Sequence, residues 1–146
     1  AATEMCHWRK KIMLGQTHDE NSFALKGAGH AGVFGKADDL LLFAYDMLIS
    51  KNITAKHQKL IQTKVFKNRT YGWELANKNW SGGIRCSKKT IGHTGFTGTG
   101  LWIDFQNNYA WTLLTNRVHP SRHKNSQINS LRMKVGDMIN QEFGKK

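Results

Sequence analysis

Between Ala37 and Ile49 the apolar positions Leu40, Phe43, Ala44, Met47 and Leu48 recur at the spacing of one helical face. Asp38 and Asp39 fall in the first turn, where they suit the helix dipole, so a helix over 37–49 is predicted. A second, weaker helix is predicted from Thr54 as N-cap to about Lys64, with Leu60, Ile61 and Val65 as its apolar residues. After Arg69 the period shortens to that of strands. Tyr71 to Ala76, Thr90 to Thr94, Gly100 to Phe105 and Tyr109 to Asn116 are the strand candidates, and Gln106-Asn107-Asn108 is a plausible hairpin turn between the last two. In Tyr109–Asn116 both alternating faces are largely apolar, which predicts cover on both sides. Pro120, the only proline, closes the strand region, and Ile128, Leu131, Val135, Met138 and Ile139 trace a C-terminal amphipathic helix. Residues 1–35 are rich in Gly and His without a sustained period and read as irregular. The order helix, helix, strands, helix predicts an α+β domain, an antiparallel sheet of about four strands with helices packed on it. No internal repeat or domain boundary interrupts the 146 residues.

Composition narrows this only slightly. The chain is 39% hydrophobic and 22% charged, a globular balance that can supply a core at this length. No apolar run approaches the ~20 residues of a membrane helix, and no signal-peptide h-region is visible. The net charge of +12 raises a nucleic-acid or anionic-membrane partner. Yet the basic residues are scattered, and the one dense stretch, Lys51 to Arg69, reads as the wet face of a helix and its exit loop. No stacking-aromatic or reader-helix signature accompanies it, so nucleic acid is an unfavoured partner. Cys6 and Cys86 are too few for a disulfide framework and read as free structural thiols. His119 and His123 flank Pro120 and lack a third ligand by spacing, so no metal site is expected. His18-Asp19-Glu20-Asn21 reads as a cluster that fixes a loop by hydrogen bonds to backbone. The five tryptophans, Trp8, Trp73, Trp80, Trp102 and Trp111, read as core or cleft wall.

The segment richest in chemistry is Ile91-Gly92-His93-Thr94-Gly95-Phe96-Thr97-Gly98-Thr99-Gly100-Leu101-Trp102-Ile103-Asp104, followed by Leu113-Leu114-Thr115-Asn116-Arg117-Val118-His119-Pro120. It resembles the C-terminal part of the β-lactamase-related serine hydrolases: class C β-lactamases, DD-peptidases and related esterases. His93-Thr94-Gly95 is similar to their third motif, Lys-Thr-Gly or His-Thr-Gly, on a strand that lines the cleft. Thr3-Glu4, Cys6, Trp8-Arg9 and His18-Asp19-Glu20-Asn21 resemble the family's loop region before its late helices. Gly29 to Phe34, with Ala37, Asp39-Leu40 and Phe43, resembles its glycine-rich turn and following helix, and Tyr71-Gly72-Trp73 the strand before the cleft. The matches run in order through nearly the whole chain, so the resemblance implies a partial β-lactamase/transpeptidase-like fold spanning 1–146. It also implies roles. The Phe96 amide would be one of two oxyanion donors, and Thr94 would bind a substrate carboxylate or carbonyl. His93 would supply hydrogen bonding and, when protonated, charge. Gly95 would let a ligand approach the backbone. No cofactor is implied, and a bacterial cytoplasmic or periplasmic setting is.

Acyl transfer of this type needs Ser-x-x-Lys at a helix N-terminus, and Tyr-x-Asn or an equivalent to relay protons. In the family both precede the region matched here, so no catalytic nucleophile is expected in this chain. Ser121-Arg122-His123-Lys124 matches Ser-x-x-Lys literally, but it lies beyond the cleft strand in a loop, and a lysine-rich chain produces such matches by chance. Ser50-Lys51-Asn52 matches Ser-x-Asn as cheaply. The expectation is a truncated or split serine hydrolase, inactive alone. Its partners would be a small-molecule acyl substrate in the complete protein and an N-terminal half, or self-association through Tyr109–Asn116 as an apolar edge. The alternative is a non-catalytic binding module using the cleft face or the basic surface.

Overall fold

The computed structural model describes residues 1–49 and 52–144. Its elements are β1 (Ala2–Cys6), β2 (Lys11–Leu14), α1 (Glu20–Ala24), α2 (Ala37–Ile49), α3 (Ala55–Gln62), β3 (Glu74–Leu75), β4 (Thr90–Thr94), β5 (Thr99–Asp104), β6 (Tyr109–Leu114) and α4 (Ile128–Phe143). The strands β3-β4-β5-β6 form one antiparallel sheet in that order, and β1-β2 make a separate hairpin. This is the expected α+β arrangement.

The sheet is built around Trp102, which is fully buried. Its indole lies flat along the sheet over two glycines: Gly92, its partner across the β4–β5 ladder, and Gly100, two residues earlier on β5. A Cβ at either position would collide with the ring. Trp111 of β6 stacks on Trp102 with centroids 5.8 Å apart and planes 14° from parallel, and Trp80 completes this aromatic face. The opposite face carries Ile91, Leu101 and Ile103, which pack against Ala44 and Met47 of α2. β6 is therefore the last strand of the sheet, but α2 covers one of its faces and α4 touches the other. Cover on both faces was the expectation for this strand.

At the β5–β6 turn, Asp104 is fully buried, with no ion-pair partner among the described residues. Its carboxylate instead accepts from the Ser87 hydroxyl at 2.7 Å and from the backbone amides of Gln106 and Asn107 at 2.9 and 3.0 Å. Asn108 takes the left-handed conformation, φ 63°, that this residue type tolerates. The sequence cue for a turn at 106–108 thus has a buried anion as its anchor.

α2 begins as expected, with the Asp39 carboxylate accepting from the Lys36 amide at 2.9 Å, and Thr54 caps α3 by accepting from the His57 amide. Several details differ from expectation. Residues 1–35 are not irregular throughout: they hold the β1–β2 hairpin and α1. Tyr71–Ala76 shrinks to β3, because Gly72 turns the chain at φ 87° and Thr70 donates back to the Trp73 carbonyl at 2.9 Å. Phe43 of α2 is exposed, with Leu41, Leu42, Tyr45 and Ile49 beside it; α2 is apolar nearly all round, and only one side of it is covered. In α4 the buried residues are Arg132, Gly136 and Asn140, while Leu131 and Met138 face outward. The helix comes so near the 82–83 loop that only a glycine fits at 136: a Cβ there would collide with the Gly82 carbonyl. Asp137 then reaches that loop, accepting from the Ile84 and Arg85 amides at 2.8 and 3.0 Å. Trp8 is exposed rather than core, lying against Phe23 with Arg9 over its ring.

The N-terminal hairpin is tied to the segment after β6. Met5 donates to the Pro120 carbonyl at 2.9 Å, and the Asn116 side-chain amide bonds the Ala2 carbonyl. Glu4 is the buried centre of this tie. Its carboxylate accepts from the Arg122 backbone at 2.7 Å, from Arg122 Nε at 2.6 Å, and bonds His18 Nε2 at 2.8 Å. Arg122 also spans to Glu20 at 2.6 Å. Thus the His18–Glu20 cluster fixes its loop mainly through side chains, with Asp19 alone bonding nearby backbone, at the Ser22 amide. Burial by itself would raise the Glu4 pKa, but the three hydrogen bonds and the Arg122 charge outweigh it and hold the group near about 2, against an ordinary 4.5.

Two measurements follow. A lowered carboxyl pKa stabilises the fold above the unfolded value and loses that contribution as pH falls through the folded one. Chemical denaturation should therefore show stability falling between pH 4.5 and about 2, by on the order of 3 kcal/mol, and Glu4→Gln should flatten that slope. Gly136→Ala tests the helix approach. Helix propensity alone would favour alanine by about 1 kcal/mol, but overpacking against a carbonyl costs about 1–3 kcal/mol, so the thermal midpoint should fall.

Candidate functional site

Consecutive strand residues point to opposite faces, so the structure separates two of the expected site residues. His93 lies on the α2 side of β4 and is exposed, while Thr94 lies on the other side and lines a cavity of about 600 Å³. Asn68, Arg69, Glu74, Trp80 and Asn129 also border that cavity. β3 stops at Glu74, opposite Gly92. Beyond that point, among the described residues, no strand lies beside His93 and Thr94 on the outer side of β4.

A short relay runs along this open edge. Glu74 holds the Arg69 guanidinium at 2.9 Å, and Arg69 Nη1 lies 3.0 Å from His93 Nε2. Arginine has donors only, so His93 Nε2 is the acceptor in this contact and its ring proton sits on Nδ1. That nitrogen donates to the Thr94 carbonyl at 3.0 Å. The charged group nearest the His93 ring is the Arg69 guanidinium. Sequence reading placed Arg69 in a basic stretch and missed this role; its only signal was a Glu five residues downstream, too weak to use.

The β4–β5 connection is a tight turn over Gly95-Phe96-Thr97-Gly98, with Gly98 donating to the Gly95 carbonyl at 3.1 Å and Gly95 to the Thr99 carbonyl at 2.9 Å. A Cβ built on Gly95 would meet the Thr99 hydroxyl oxygen, so a larger residue here would have to displace that side chain. Gly98 has φ 118° and packs against Thr115 and Arg117. The Thr115 hydroxyl bonds the Gly98 carbonyl at 2.6 Å, and the Arg117 amide bonds the Thr97 carbonyl at 2.9 Å. So the Thr115-Asn116-Arg117 ending of β6 holds the turn in place.

Phe96 is 57% exposed at the apex. His18 stacks on its ring at 5.7 Å, and the Arg117 and Arg122 guanidinium carbons lie 4.4 and 5.8 Å from its centroid. Arg117 Nε also donates to the Phe96 carbonyl at 2.7 Å. The Glu4 tie therefore sets the position of the groups that hold this aromatic. Among the described residues no acceptor takes the Phe96 amide proton. Thr94 is half-buried at the border of the cavity, and Phe96 is an exposed residue two positions further on.

The literal motifs do not form a second site. Ser121 sits in a loop, its hydroxyl accepting from the His123 amide at 3.3 Å, and is not at a helix N-terminus. Ser50 and Lys51 lie outside the described residues. His119 bonds the Thr3 carbonyl through Nδ1 at 3.0 Å. Among the described residues no three His, Cys, Asp or Glu side chains stand close enough to hold a metal ion. Cys6 and Cys86 are both free.

Comparison with known proteins shows the family and the fold. The family described as Beta-lactamase matches residues 2–131. The "N-acetylmuramyl-L-alanine amidase" of Bacillus subtilis (strain 168) is 34% identical over 124 residues, which is 76% of this chain and 28% of that protein. A protein of Escherichia coli O157:H7 provisionally named D-alanyl-D-alanine carboxypeptidase is 32% identical over 126 residues, 77% of this chain and 28% of that one. The crystal structure of a β-lactamase from Mycobacterium bovis superposes with a TM-score of 0.67 at 20% identity, covering 79% of this chain and 47% of that one. The chain spans little more than a quarter of the curated relatives it matches, and it belongs to the β-lactamase family.

Proposed function

We propose that this chain is the cleft-bearing C-terminal portion of a serine acyl-transfer hydrolase acting on a D-alanyl peptide, β-lactam or ester. The serine and its activating lysine would come from a separate segment. The observation that carries the reading is the open outer edge of β4 beside the cavity, with the Phe96 amide unpartnered at its end. An extended acyl substrate could lie along that edge as an added strand. Its carbonyl oxygen, negative in the tetrahedral intermediate, would accept from the Phe96 amide, with a second donor supplied by the nucleophile's own segment. Thr94 would bond a substrate carboxylate or carbonyl, and Arg69, fixed by Glu74, would supply the positive charge that a terminal carboxylate seeks. The names of the amidase and carboxypeptidase relatives point to cell-wall peptides as the first substrates to try.

The nucleophile's segment has a place to dock. The outer face of α2 exposes Leu41, Leu42, Phe43, Tyr45 and Ile49, and the far edge of β6 has no neighbouring strand among the described residues. An apolar face of this kind is normally covered, and the complementary segment is the occupant proposed here.

Two outcomes are expected. The isolated chain should neither be labelled by a fluorescent penicillin nor turn over a chromogenic ester. Co-expression with a family segment bearing Ser-x-x-Lys and Tyr-x-Asn should restore labelling, and Thr94→Val should then slow it about tenfold or more. Labelling of the isolated chain that is lost on Ser121→Ala would overturn the proposal. By light scattering, the isolated chain should gain mass with concentration and the co-expressed pair should not; a clean monomer at high concentration would count against the docking face.

A further inference from the structure

Among the described residues, the buried Arg132 guanidinium has no carboxylate within hydrogen-bond reach. It is 5% exposed on α4, and its Nε has no hydrogen-bond acceptor. Its remaining contacts are Asn129 Oδ1 at 3.1 Å through Nη1, and two backbone carbonyls through Nη2: Gly95 at 2.9 Å and Thr99 at 2.7 Å. A buried cation without a counter-ion is costly. Burial, and then the nearby Arg117 charge, bring its pKa below the ordinary arginine value. A methionine or leucine would pack at this depth without that cost, so the charge calls for a reason other than stability.

The position of the contact supplies one. The Gly95 carbonyl and the Phe96 amide are the two ends of one peptide group. A cation bonded to the carbonyl end draws electron density toward that oxygen and makes the amide proton at the other end a stronger donor, the polarisation that chained hydrogen bonds transmit. The same contact fixes the peptide's orientation, since Nη2 bridges the carbonyls at both ends of the turn. We propose that Arg132 is a positioning residue for the anion-binding amide of Phe96: it orients and polarises the Gly95–Phe96 peptide from behind, and the negative charge that develops at the cleft is the counter-ion it otherwise lacks. The inference rests on the reading of Phe96 as an oxyanion donor. It adds to that reading a charged residue on a different element, 36 positions later in the sequence.

The test is nuclear magnetic resonance on the chain itself, with methylphosphonate as a tetrahedral anion probe at fixed ionic strength. In the wild type, a through-hydrogen-bond coupling should link Arg132 Nη2 to the Gly95 carbonyl carbon. Arg132→Met should shift the Phe96 amide nitrogen and proton toward values of a less polarised peptide and weaken probe binding at Phe96 about tenfold. Arg132→Lys should recover part of both, and Lys134→Met, which removes an equal charge from an exposed position of α4, should change neither. A merely structural role would lower the thermal midpoint and leave the Phe96 amide of folded Arg132→Lys at its wild-type position. An unchanged Phe96 amide in the folded variants, or absence of the coupling in the wild type, would overturn the proposal even if the probe binds. A Phe96 amide that ignores the probe in the wild type, while the coupling is present, would instead remove the oxyanion reading, and with it the role assigned to Arg132. If Arg132→Met does not fold, the coupling and the lysine variant decide.

Discussion

An indole ring laid flat on two glycines governs this fold. Because Trp102 occupies the surface of β4 and β5 where side chains would stand at Gly92 and Gly100, the aromatic layer is thin. Trp111 stacks on it, Trp80 packs into the same cluster, and α4 comes close enough for Gly136 to meet the Gly82 carbonyl. That close approach brings Arg132 of the same helix under the β4–β5 turn. Strand glycines ordinarily weaken a sheet. Here they are the sites on which the largest buried side chain rests.

The surroundings of the β4–β5 turn carry charge in a way the net value of +12 conceals. Arg69, Arg117, Arg122 and Arg132 all bear on the segment His93 to Thr99, yet each is held differently. Arg69 and Arg122 have carboxylates, Glu74 and Glu4 with Glu20. Arg117 lies on an aromatic face and bonds a carbonyl, and Arg132 has carbonyls and an amide oxygen only. Glu4, Glu20 and Glu74 offset part of this charge, and Arg117 and Arg132 carry the remainder around one short hairpin. This is a local arrangement, unlike the scattered lysines of α3 and its exit loop, which stay in water.

The parts of the architecture legible in the sequence were those with strong periodicity or short-range chemistry: the bounds of α2, the Thr54 cap, β4, and the hairpin around 106–108. What escaped has physical reasons. The β1–β2 hairpin is stabilised by partners more than a hundred residues away, such as Arg122 for Glu4 and Pro120 for Met5, and no local pattern announces them. The buried face of α4 was misjudged because it is made of Arg132, Gly136 and Asn140, a polar stripe that hydrophobic periodicity discards. At the site, the His93-Thr94-Gly95-Phe96 segment was legible as a motif. The contacts of Arg69 with His93 and of Arg132 with Gly95 were not, since both form only when the sheet and α4 assemble. Gly95 was legible as part of that motif, but its close contact with Thr99 was not.

The Trp102–Trp111 pair carries one last consequence. Two indoles so close and so nearly parallel couple their electronic transitions, and one of them rests on Gly92 of β4, two residues before Thr94 on the same side of the strand. The protein thus contains its own optical gauge: a paired-chromophore band in circular dichroism whose sign and size depend on β4, β5 and β6 being in register, readable without any label.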